Sequence, residues 1–355
     1  MKETGFQQPT VQNQMPICEH PSPQRARLFM ARDYITGDRF DLVQCRACGL
    51  ALTSPALAAS EMERYYPAVY YAGTGGKRFP AVVERLQKFL YSQRVRRIER
   101  LNGERKGRVL DVGCGPGFLL RQFQKRGWEA QGTELSEQSA AHAREILGLP
   151  IHVGDLASAR FPDAHFDAVV LWHVLEHVPC PQSTIAEVER ILQPGGVFLV
   201  GVPNFGSWEA RLARDKWFHL DVPRHLHHFT VPTLAWILAS AGLQVKSQSF
   251  FAPEYDSFSF VQSALNRFGL HHNLLYQLLR QDRSKVLQEE SLFQILAALL
   301  LAVPLSVASF PATFLAALLH QGTAVSLYAQ KPAGRAPIPS RALRSQRQSP
   351  PYFND

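Results

Sequence analysis

Cysteine is scarce in this sequence, and its distribution excludes one class of protein. The 355 residues include five cysteines, of which Cys18, Cys45 and Cys48 fall in one N-terminal stretch. Such a set does not form the disulfide framework of a small secreted domain. Residues 1–8 also lack the apolar run of a signal peptide. We therefore expect a cytoplasmic protein.

Acidic residues are outnumbered, but the basic excess does not indicate a nucleic-acid-binding protein. The formal net charge is +8. Residues 331–355 contain five basic residues and one acidic residue, so this segment carries four of those eight charges. Its composition, rich in proline, serine and arginine, predicts a disordered basic tail. We expect no nucleic-acid partner, and acidic lipid would suit such a tail better.

The central glycine-rich segment lacks the spacing that a dinucleotide requires. An apolar strand at 108–112 leads into glycines at 113, 115 and 117, and a helix follows. A dinucleotide site with G-x-G-x-x-G would have a small residue at the third position, where this sequence has Phe118. The glycines let a ligand lie against the backbone, close to the amides of the helix N-terminus. With Asp111 before the first glycine, the site suits a ligand that carries an ammonium group and no phosphate.

The strand and helix patterns from residue 108 onward predict an α/β fold. Apolar strands at 108–112, 129–133, 151–153, 168–172 and 197–202 alternate with helical segments. Two further strands are predicted at 243–251 and 323–329. Together they indicate a doubly wound sheet of seven strands.

Further motifs follow the glycine segment in a fixed order, and the set resembles a known family. They are an acid at Glu134, the pair Asp155 and Leu156, an L-E-H-V run at 175–178 and an L-x-P-G-G turn at 192–196. Over residues 105–250 this order resembles the class I S-adenosylmethionine (SAM) methyltransferases, which have a Rossmann-like fold. The resemblance implies SAM as the cofactor. It also implies a cofactor site formed by Asp111, Gly113, Cys114, Gly115, Gly117, Glu134, Leu135, Asp155, Leu156, Trp172 and His173.

Histidines follow the fourth and fifth strands, at the sheet edge where ligands bind in open α/β folds. His173 follows strand four, and residues 221–229 read D-x-P-x-H-x-x-x-F. That segment resembles one beside the acceptor pocket of methyltransferases that act on quinone precursors, sugars and small metabolites. A neutral imidazole can accept a proton from an acceptor hydroxyl. We rank His225 first as the catalytic base, then His228 and His173; the alternative is that these histidines are structural.

The expected reaction is methyl transfer to oxygen of a small-molecule or lipid-linked acceptor. Two alternatives stay open. The first is carbon methylation of a sugar, in which a histidine would remove a carbon-bound proton. The second is a catalytically silent, membrane-associated protein that binds SAM.

The N-terminal cysteines indicate a small module that resembles a zinc ribbon. Cys45 and Cys48 form a C-x-x-C knuckle, and some methyltransferases of this kind carry two such knuckles. Here the first knuckle departs from the pattern, so Cys18 and His20 would supply the other two ligands. A bound zinc ion and a ribbon that keeps its fold without metal are both open.

Charged residues are absent from 291–330, which is the longest apolar region of the chain. Residues 295–319 are long enough to cross a bilayer. Because strands six and seven must join one sheet, the segment has to return to the side where it began. Pro304 and Pro311 predict a bent helical hairpin that contacts a membrane surface through 292–319, peripherally at its inner face. A buried helical pair and a dimer interface are the alternatives.

The expected domain organisation follows from these segments. The boundaries are a flexible N-terminus (1–16), a zinc-ribbon-like module (17–55), a helical linker or lid (60–106), the methyltransferase domain (107–330, with an apolar insertion at 252–322) and the disordered basic tail (331–355).

Overall fold

The computed structural model describes residues 24–66, 81–279, 286–288 and 290–334. Its strands, numbered along the chain, are β1 (Arg25–Arg32), β2 (Arg39–Cys45), β3 (Ala51–Ser54), β4 (Arg108–Val112), β5 (Glu129–Glu134), β6 (Ile151–Val153), β7 (Phe166–Trp172), β8 (Leu192–Pro203), β9 (His227–His228), β10 (Gln244–Ser249) and β11 (Ala324–Gln330).

The α-helices are numbered in the same way. They are α1 (Ala59–Met62), α2 (Ala81–Leu101), α3 (Phe118–Lys125), α4 (Glu137–Glu145), α5 (Pro181–Ile191), α6 (Trp208–Ala213), α7 (Val231–Ser240), α8 (Pro253–Arg267), α9 (Leu274–Leu279) and α10 (Leu292–Leu318).

The larger sheet contains the seven predicted strands in the order β10-β11-β8-β7-β4-β5-β6. The five strands from β4 to β8 are parallel, whereas β11 runs antiparallel to both β8 and β10. The register places Asp111 opposite Gly132 on one side and Val170 on the other. The carboxyl ends of the parallel strands therefore meet at one edge, which collects the predicted site residues.

The sheet is covered by helices on both faces, which explains why its central strands, such as β4 and β7, have no polar face. Leu110 and its neighbours on one face pack against α5 and α7, through residues such as Ile185 and Leu234. Val109 on the other face belongs to a second core with side chains of α2, α3 and α4, among them Phe123. The doubly wound α/β fold predicted from the sequence is confirmed.

The smaller sheet joins the N-terminal segment to the domain that follows it. Its order is β1-β2-β3-β9, and all of its pairs are antiparallel. Strand β9 consists of two residues from the segment after β8, with Leu52 opposite His227 and Ala51 opposite His228. The sequence analysis did not predict this pairing, which makes part of the D-x-P-x-H segment an edge strand of the N-terminal sheet.

The segment 292–318 of the apolar insertion forms one continuous helix, so the predicted bent hairpin is wrong. α10 has 27 residues, and both Pro304 and Pro311 lie inside it. Each proline removes one backbone hydrogen bond. That cost is offset by packing of the inner face, where Ala298, Ala302 and Leu305 contact side chains of the α8–α9 region.

The outer face of α10 is also apolar, although it is exposed. The helix is long and apolar enough to cross a membrane. An 18-residue stretch of it has a mean hydropathy of 2.2, and 17% of that stretch is buried. A stripe of large side chains at three- and four-residue spacing runs along the outside, which we call the α10 outer stripe. Its members are Phe293, Leu296, Leu300, Val303, Val307, Phe310, Phe314 and Leu318, each between 49% and 77% exposed.

Candidate functional site

The loop after β4 has the backbone that the sequence predicts for close ligand approach. Gly113, Gly115 and Gly117 have φ values of 67°, 52° and 80°, in the left-handed region that disfavours other residues. A Cβ on Gly113 would lie 2.6 Å from Val174, and one on Gly117 would lie 2.8 Å from Leu149. Around Gly115 there is open space, with nothing within 4 Å of an added Cβ. The loop therefore packs tightly at both ends and leaves its centre accessible.

Two carboxyl groups flank this loop. Asp111 is 4% exposed, and its burial, together with the charge of Glu134, raises its pKa to about 8. Glu134 crosses the loop and accepts hydrogen bonds from the backbone N–H groups of Gly115 and Ser136, each at 2.8 Å. Each of its oxygens retains a second lone pair for a ribose hydroxyl. Asp111 is a buried carboxyl with no cation beside it among the described residues, and Glu134 is a carboxylate with spare acceptors, so the two fit the ammonium and ribose groups of SAM.

The other predicted cofactor residues lie along the same sheet edge. The N–H of Cys114 donates to the carbonyl of Thr133 (3.0 Å), and Leu135 is 72% exposed beside it. Asp155 is exposed and accepts from the N–H of Ser158, whereas Leu156 is buried. The structure thus brings the predicted residues together at one sheet edge, at the carboxyl ends of the neighbouring strands β7, β4, β5 and β6.

His173 and Glu176 form a carboxylate–imidazole pair directly after β7. The ring Nδ1 of His173 lies 3.3 Å from Oε1 of Glu176. Burial alone would raise the pKa of Glu176, but the hydrogen bond from His173 and the nearby histidines lower it to about 2. Because an ionised carboxylate only accepts, His173 donates from Nδ1, and in a neutral imidazole the lone pair is then on Nε2. The backbone of His173 has φ of 54°, an uncommon value for a residue with a side chain.

Two further rings, which the sequence analysis did not single out, pack against His173, and we call His173, Glu176, His219 and Tyr255 together the histidine pocket. The ring of Tyr255 lies 4.4 Å from that of His173, and the ring of His219 is stacked at 6.3 Å. Nε2 of His173, Nε2 of His219 and Oε2 of Glu176 are all buried, with no hydrogen-bond partner in the described part of the chain. Such unpaired polar atoms are costly, and they are the groups that a bound acceptor would satisfy.

Arg94 of α2 is a further residue that no motif indicated. Its guanidinium lies 3.8 Å from the centre of the Trp172 ring and pairs with Glu254 of α8. Both charged side chains are less than a tenth exposed. Arg94 Nη1 is buried without a partner among the described residues. The pair therefore joins α2 to α8 beside the predicted cofactor residue Trp172.

The first-ranked base, His225, lies in a buried polar cluster next to this pocket. Its Nδ1 is 2.8 Å from the carbonyl of His219, and Nδ1 of His177 is 3.1 Å from the carbonyl of Arg224. Burial, followed by the charge of His177, lowers the pKa of His225 to about 4. One ligand atom each from Glu176, His177 and His225 lies within 4.8 Å of the other two, so this set has the donor types that hold a divalent cation.

The second-ranked base, His228, is tied to the N-terminal sheet. Its Nε2 lies 3.0 Å from the hydroxyl of Thr53, which itself donates to the carbonyl of His225 at 2.6 Å. A hydroxyl has one proton, so His228 Nε2 must be the donor in the first of these bonds. In this arrangement Nε2 of His228 has no lone pair for a proton from an acceptor.

Two of the four predicted zinc ligands, Cys45 and Cys48, lie among the residues that the structure describes. Cys45 ends β2, and Cys48 lies in the tight turn that follows, where the N–H of Gly49 donates to the carbonyl of Cys45 (2.8 Å). The turn has the form of one zinc knuckle. Cys18 and His20 lie outside the described residues, and the zinc site stays a prediction.

Comparison with known proteins gives the same family as the motifs. A model of a methyltransferase domain matches residues 83–248. A protein of Mycolicibacterium smegmatis named "Probable S-adenosylmethionine-dependent methyltransferase" is 31% identical over 175 residues, which cover 49% of this chain and 65% of that protein. A ubiquinone biosynthesis O-methyltransferase of Azoarcus sp. is 33% identical over 154 residues, 40% of this chain and 66% of its own.

A third relative is covered more fully. The malonyl-[acyl-carrier protein] O-methyltransferase of Enterobacter lignolyticus is 30% identical over 196 residues, which are 53% of this chain and 76% of that protein. The chain spans 65% and 66% of the two relatives above, slightly less than two thirds of their length. The residues that the methyltransferase-domain model matches, 83–248, include the cofactor loop described above. The chain therefore belongs to the class I SAM-dependent methyltransferases, and SAM is the cofactor that its motifs predict.

Proposed function

We propose that the protein transfers the methyl group of SAM to an oxygen atom of a small-molecule or lipid-linked acceptor. The observation that carries this proposal is the His173–Glu176 pair, which stands beside the cofactor loop with the His173 Nε2 lone pair unused. The names of two relatives, both O-methyltransferases, support oxygen as the methylated atom.

The chain's own residues divide the work of this reaction. When bound, SAM supplies a methyl group that its positive sulfur already activates. Asp111 binds the ammonium group and Glu134 the ribose hydroxyls, which fixes the donor. His173 Nε2 accepts the proton of the acceptor hydroxyl as the oxygen–methyl bond forms, and Glu176 stabilises the resulting imidazolium. We favour His173 over His225 and His228 for this role because its Nε2 is buried without a hydrogen-bond partner among the described residues.

We also propose that the protein binds peripherally to the inner face of a membrane through residues 292–319. The α10 outer stripe is what supports this. The main alternative is that the stripe contacts a second copy of the chain, since a three- and four-residue spacing also suits a coiled coil. Coiled-coil rims carry charged residues, and 291–330 contain none. A bilayer surface, with acidic lipid attracting a chain of net charge +8, suits this helix better.

The experiment that tests the proposed reaction combines binding with product identification. SAM is titrated by calorimetry into wild type and Asp111→Asn, and labelled SAM is then incubated with a small-molecule and lipid extract, followed by mass analysis of the product. We expect wild type to bind SAM, the variant to bind it at least tenfold more weakly, and the product to carry a new O-methyl group. A C-methylated sugar would replace the proposed reaction with the sugar alternative. SAM binding without any methylated product would support the alternative of a catalytically silent SAM-binding protein.

The role of His173 has its own test in the same assay. His173→Asn is expected to lower kcat by about 10²–10⁴, the usual contribution of a general base, while SAM binding changes little. His165→Asn is the matched control, because His165 lies next to the opposite end of the same strand, β7. Equal kcat values for the two variants would exclude His173 as the base.

A further inference from the structure

A second pocket lies away from the methyl-transfer site, between α6, α8 and α10. Its volume is about 450 Å³, within the range of sites that bind small molecules. The walls are mostly apolar and are formed by Leu212, Phe260, Ala264, Ala312, Leu315 and Ala316. Trp208 of α6 also lines it. None of these residues belongs to the cofactor loop or to the histidine pocket.

The pocket is elongated along α8. Its lining residues on that helix extend from Asp256 to Arg267, which corresponds to about 16 Å at the rise of an α-helix. One wall is α10, and Leu315 of that wall is itself half exposed. The pocket is therefore continuous with the apolar outer surface of α10, and a long, narrow hydrocarbon chain fits its shape.

One end of the pocket is polar. Asp256 is 1% exposed; its Oδ2 accepts from the N–H of Ala252 at 3.1 Å, and its Oδ1 is buried with no partner among the described residues. Burial raises the pKa of Asp256 well above its usual value, which favours the neutral, protonated form of this carboxyl. Glu209, beside it, is partly buried, and desolvation raises its pKa to about 7.

These two acids decide which polar group the pocket accepts. A protonated carboxyl offers an O–H donor to a hydroxyl or ester oxygen, whereas an anionic group would be repelled once Glu209 ionises. Arg267 lines the other end, but it is exposed, so water screens its charge and it selects only weakly. The polar end therefore favours a neutral oxygen function.

We propose that this pocket binds one hydrocarbon chain of a membrane lipid that carries a neutral oxygen group, with the chain between α6, α8 and α10 and the oxygen at Asp256. This second site is independent of methyl transfer. It would hold the protein to a lipid through a specific contact in addition to the non-specific contact of the α10 outer stripe.

Two probes of equal chain length test the proposal. 11-Bromo-1-undecanol and 11-bromoundecanoate both quench tryptophan fluorescence on close approach, and Trp208 reports from the pocket. At pH 8 we expect the alcohol to quench wild type saturably and to bind at least tenfold more tightly than the carboxylate. Trp208→Phe gives the background from the four other tryptophans.

Two alanine variants on α10 separate the pocket from the helix surface. Ala316→Phe fills the pocket and should abolish saturable quenching, whereas Ala308→Phe, on the exposed side of the same helix, should leave it unchanged. Ala264→Leu is the second pocket-filling variant, and retained SAM binding verifies folding in each case. No saturable quenching of Trp208 in wild type, or equal quenching in Ala316→Phe and Ala308→Phe, would overturn the proposal. So would equal affinity for the two probes.

Discussion

Two buried carboxyl groups at one sheet edge have pKa values shifted in opposite directions, and the charges of their neighbours explain the difference. Glu176 is 1% exposed and Asp111 is 4% exposed, so desolvation disfavours the charged form of both. Glu176 receives a hydrogen bond from His173 and faces further histidines, which lower its pKa to about 2. Asp111 faces Glu134, which adds to the effect of burial. Among the described residues no cation offsets the burial of Asp111. The ammonium group of SAM would supply one.

The first prediction is a pH dependence of stability in the ligand-free protein. The pKa of Asp111 is about 8 in the folded state, against the usual 3.8 in an unfolded chain, so between pH 4 and 8 the folded chain holds a proton that the unfolded chain has lost. Its contribution to the free energy of unfolding is complete below pH 4 and falls by up to ~1.4 kcal/mol per pH unit as pH rises to 8. Asp111→Asn removes this contribution.

Urea unfolding at pH 5, 6, 7 and 8 measures this effect. Wild type should lose stability with rising pH more steeply than Asp111→Asn, and saturating SAM should reduce the difference. Asp155→Asn, at an exposed carboxyl on the same sheet edge, controls for the loss of one acidic group. Parallel pH curves for wild type and Asp111→Asn would contradict the prediction.

The site residues that could be predicted are those that local spacing determines. Asp111 lies near the end of an apolar strand, and the glycines form the turn that follows it. Because these residues are close in sequence, the motif alone locates them. Arg94 and Tyr255 reach the site from α2 and α8, and nothing in their local sequence indicates it. The Thr53–His228 bond joins residues 175 positions apart. A contact of that kind depends on the tertiary fold and leaves no periodic pattern.

At the scale of elements, periodicity predicted the seven strands of the large sheet, while α10 and β9 were missed for different reasons. The two prolines predicted a break in the apolar run, but packing of the inner face of α10 outweighs two lost hydrogen bonds. Strand β9 has two residues, too few for any alternation to be visible. It exists because β3 offers it an edge.

The α10 outer stripe gives the prediction at this scale. Burial of one large apolar side chain contributes about 1.5–3 kcal/mol, so a triple variant, Leu300→Ser, Val303→Ser and Val307→Ser, should lose at least ~3 kcal/mol of membrane binding. That is about a hundredfold weaker partition. Flotation with vesicles containing acidic lipid measures it.

The control for this experiment uses three exposed apolar residues elsewhere on the chain. Leu86, Ile146 and Val245 are each more than a third exposed, and their triple change to serine removes a similar apolar area. Control and wild type should float alike. A stripe variant that floats as well as wild type would argue against membrane contact, and a shift of wild type to a dimer, lost in the stripe variant, would favour the interface alternative.

At the scale of the whole molecule, the N-terminal sheet and the methyltransferase domain are joined by a buried ion pair. Arg224 and Asp33 are both fully buried and lie 2.7 Å apart. Arg224 also pairs with Asp221 and donates to the carbonyl of Tyr65. Next to Arg224 in the chain is His225, and β9 follows. The N-terminal sheet therefore holds the segment that contains His225 and β9, next to the proposed acceptor site.

The last prediction follows from this connection. Asp33→Asn leaves the Arg224 charge buried with only Asp221 to balance it, and breaking a buried pair costs about 3–5 kcal/mol. We expect the lower end of that range, because Asp221 remains and the amide oxygen of asparagine can still accept the N–H groups that Asp33 binds at Ile35 and Thr36. Asp41→Asn, which breaks the exposed pair with Arg27, should cost at most about 1 kcal/mol.

Two measurements test whether the two parts form one cooperative unit. In that case Asp33→Asn shifts a single unfolding transition, monitored by circular dichroism. The same variant raises the KM for the acceptor, while its affinity for SAM changes little. An early, separate transition for the N-terminal sheet, with the main transition unmoved, would show instead that the two parts unfold independently.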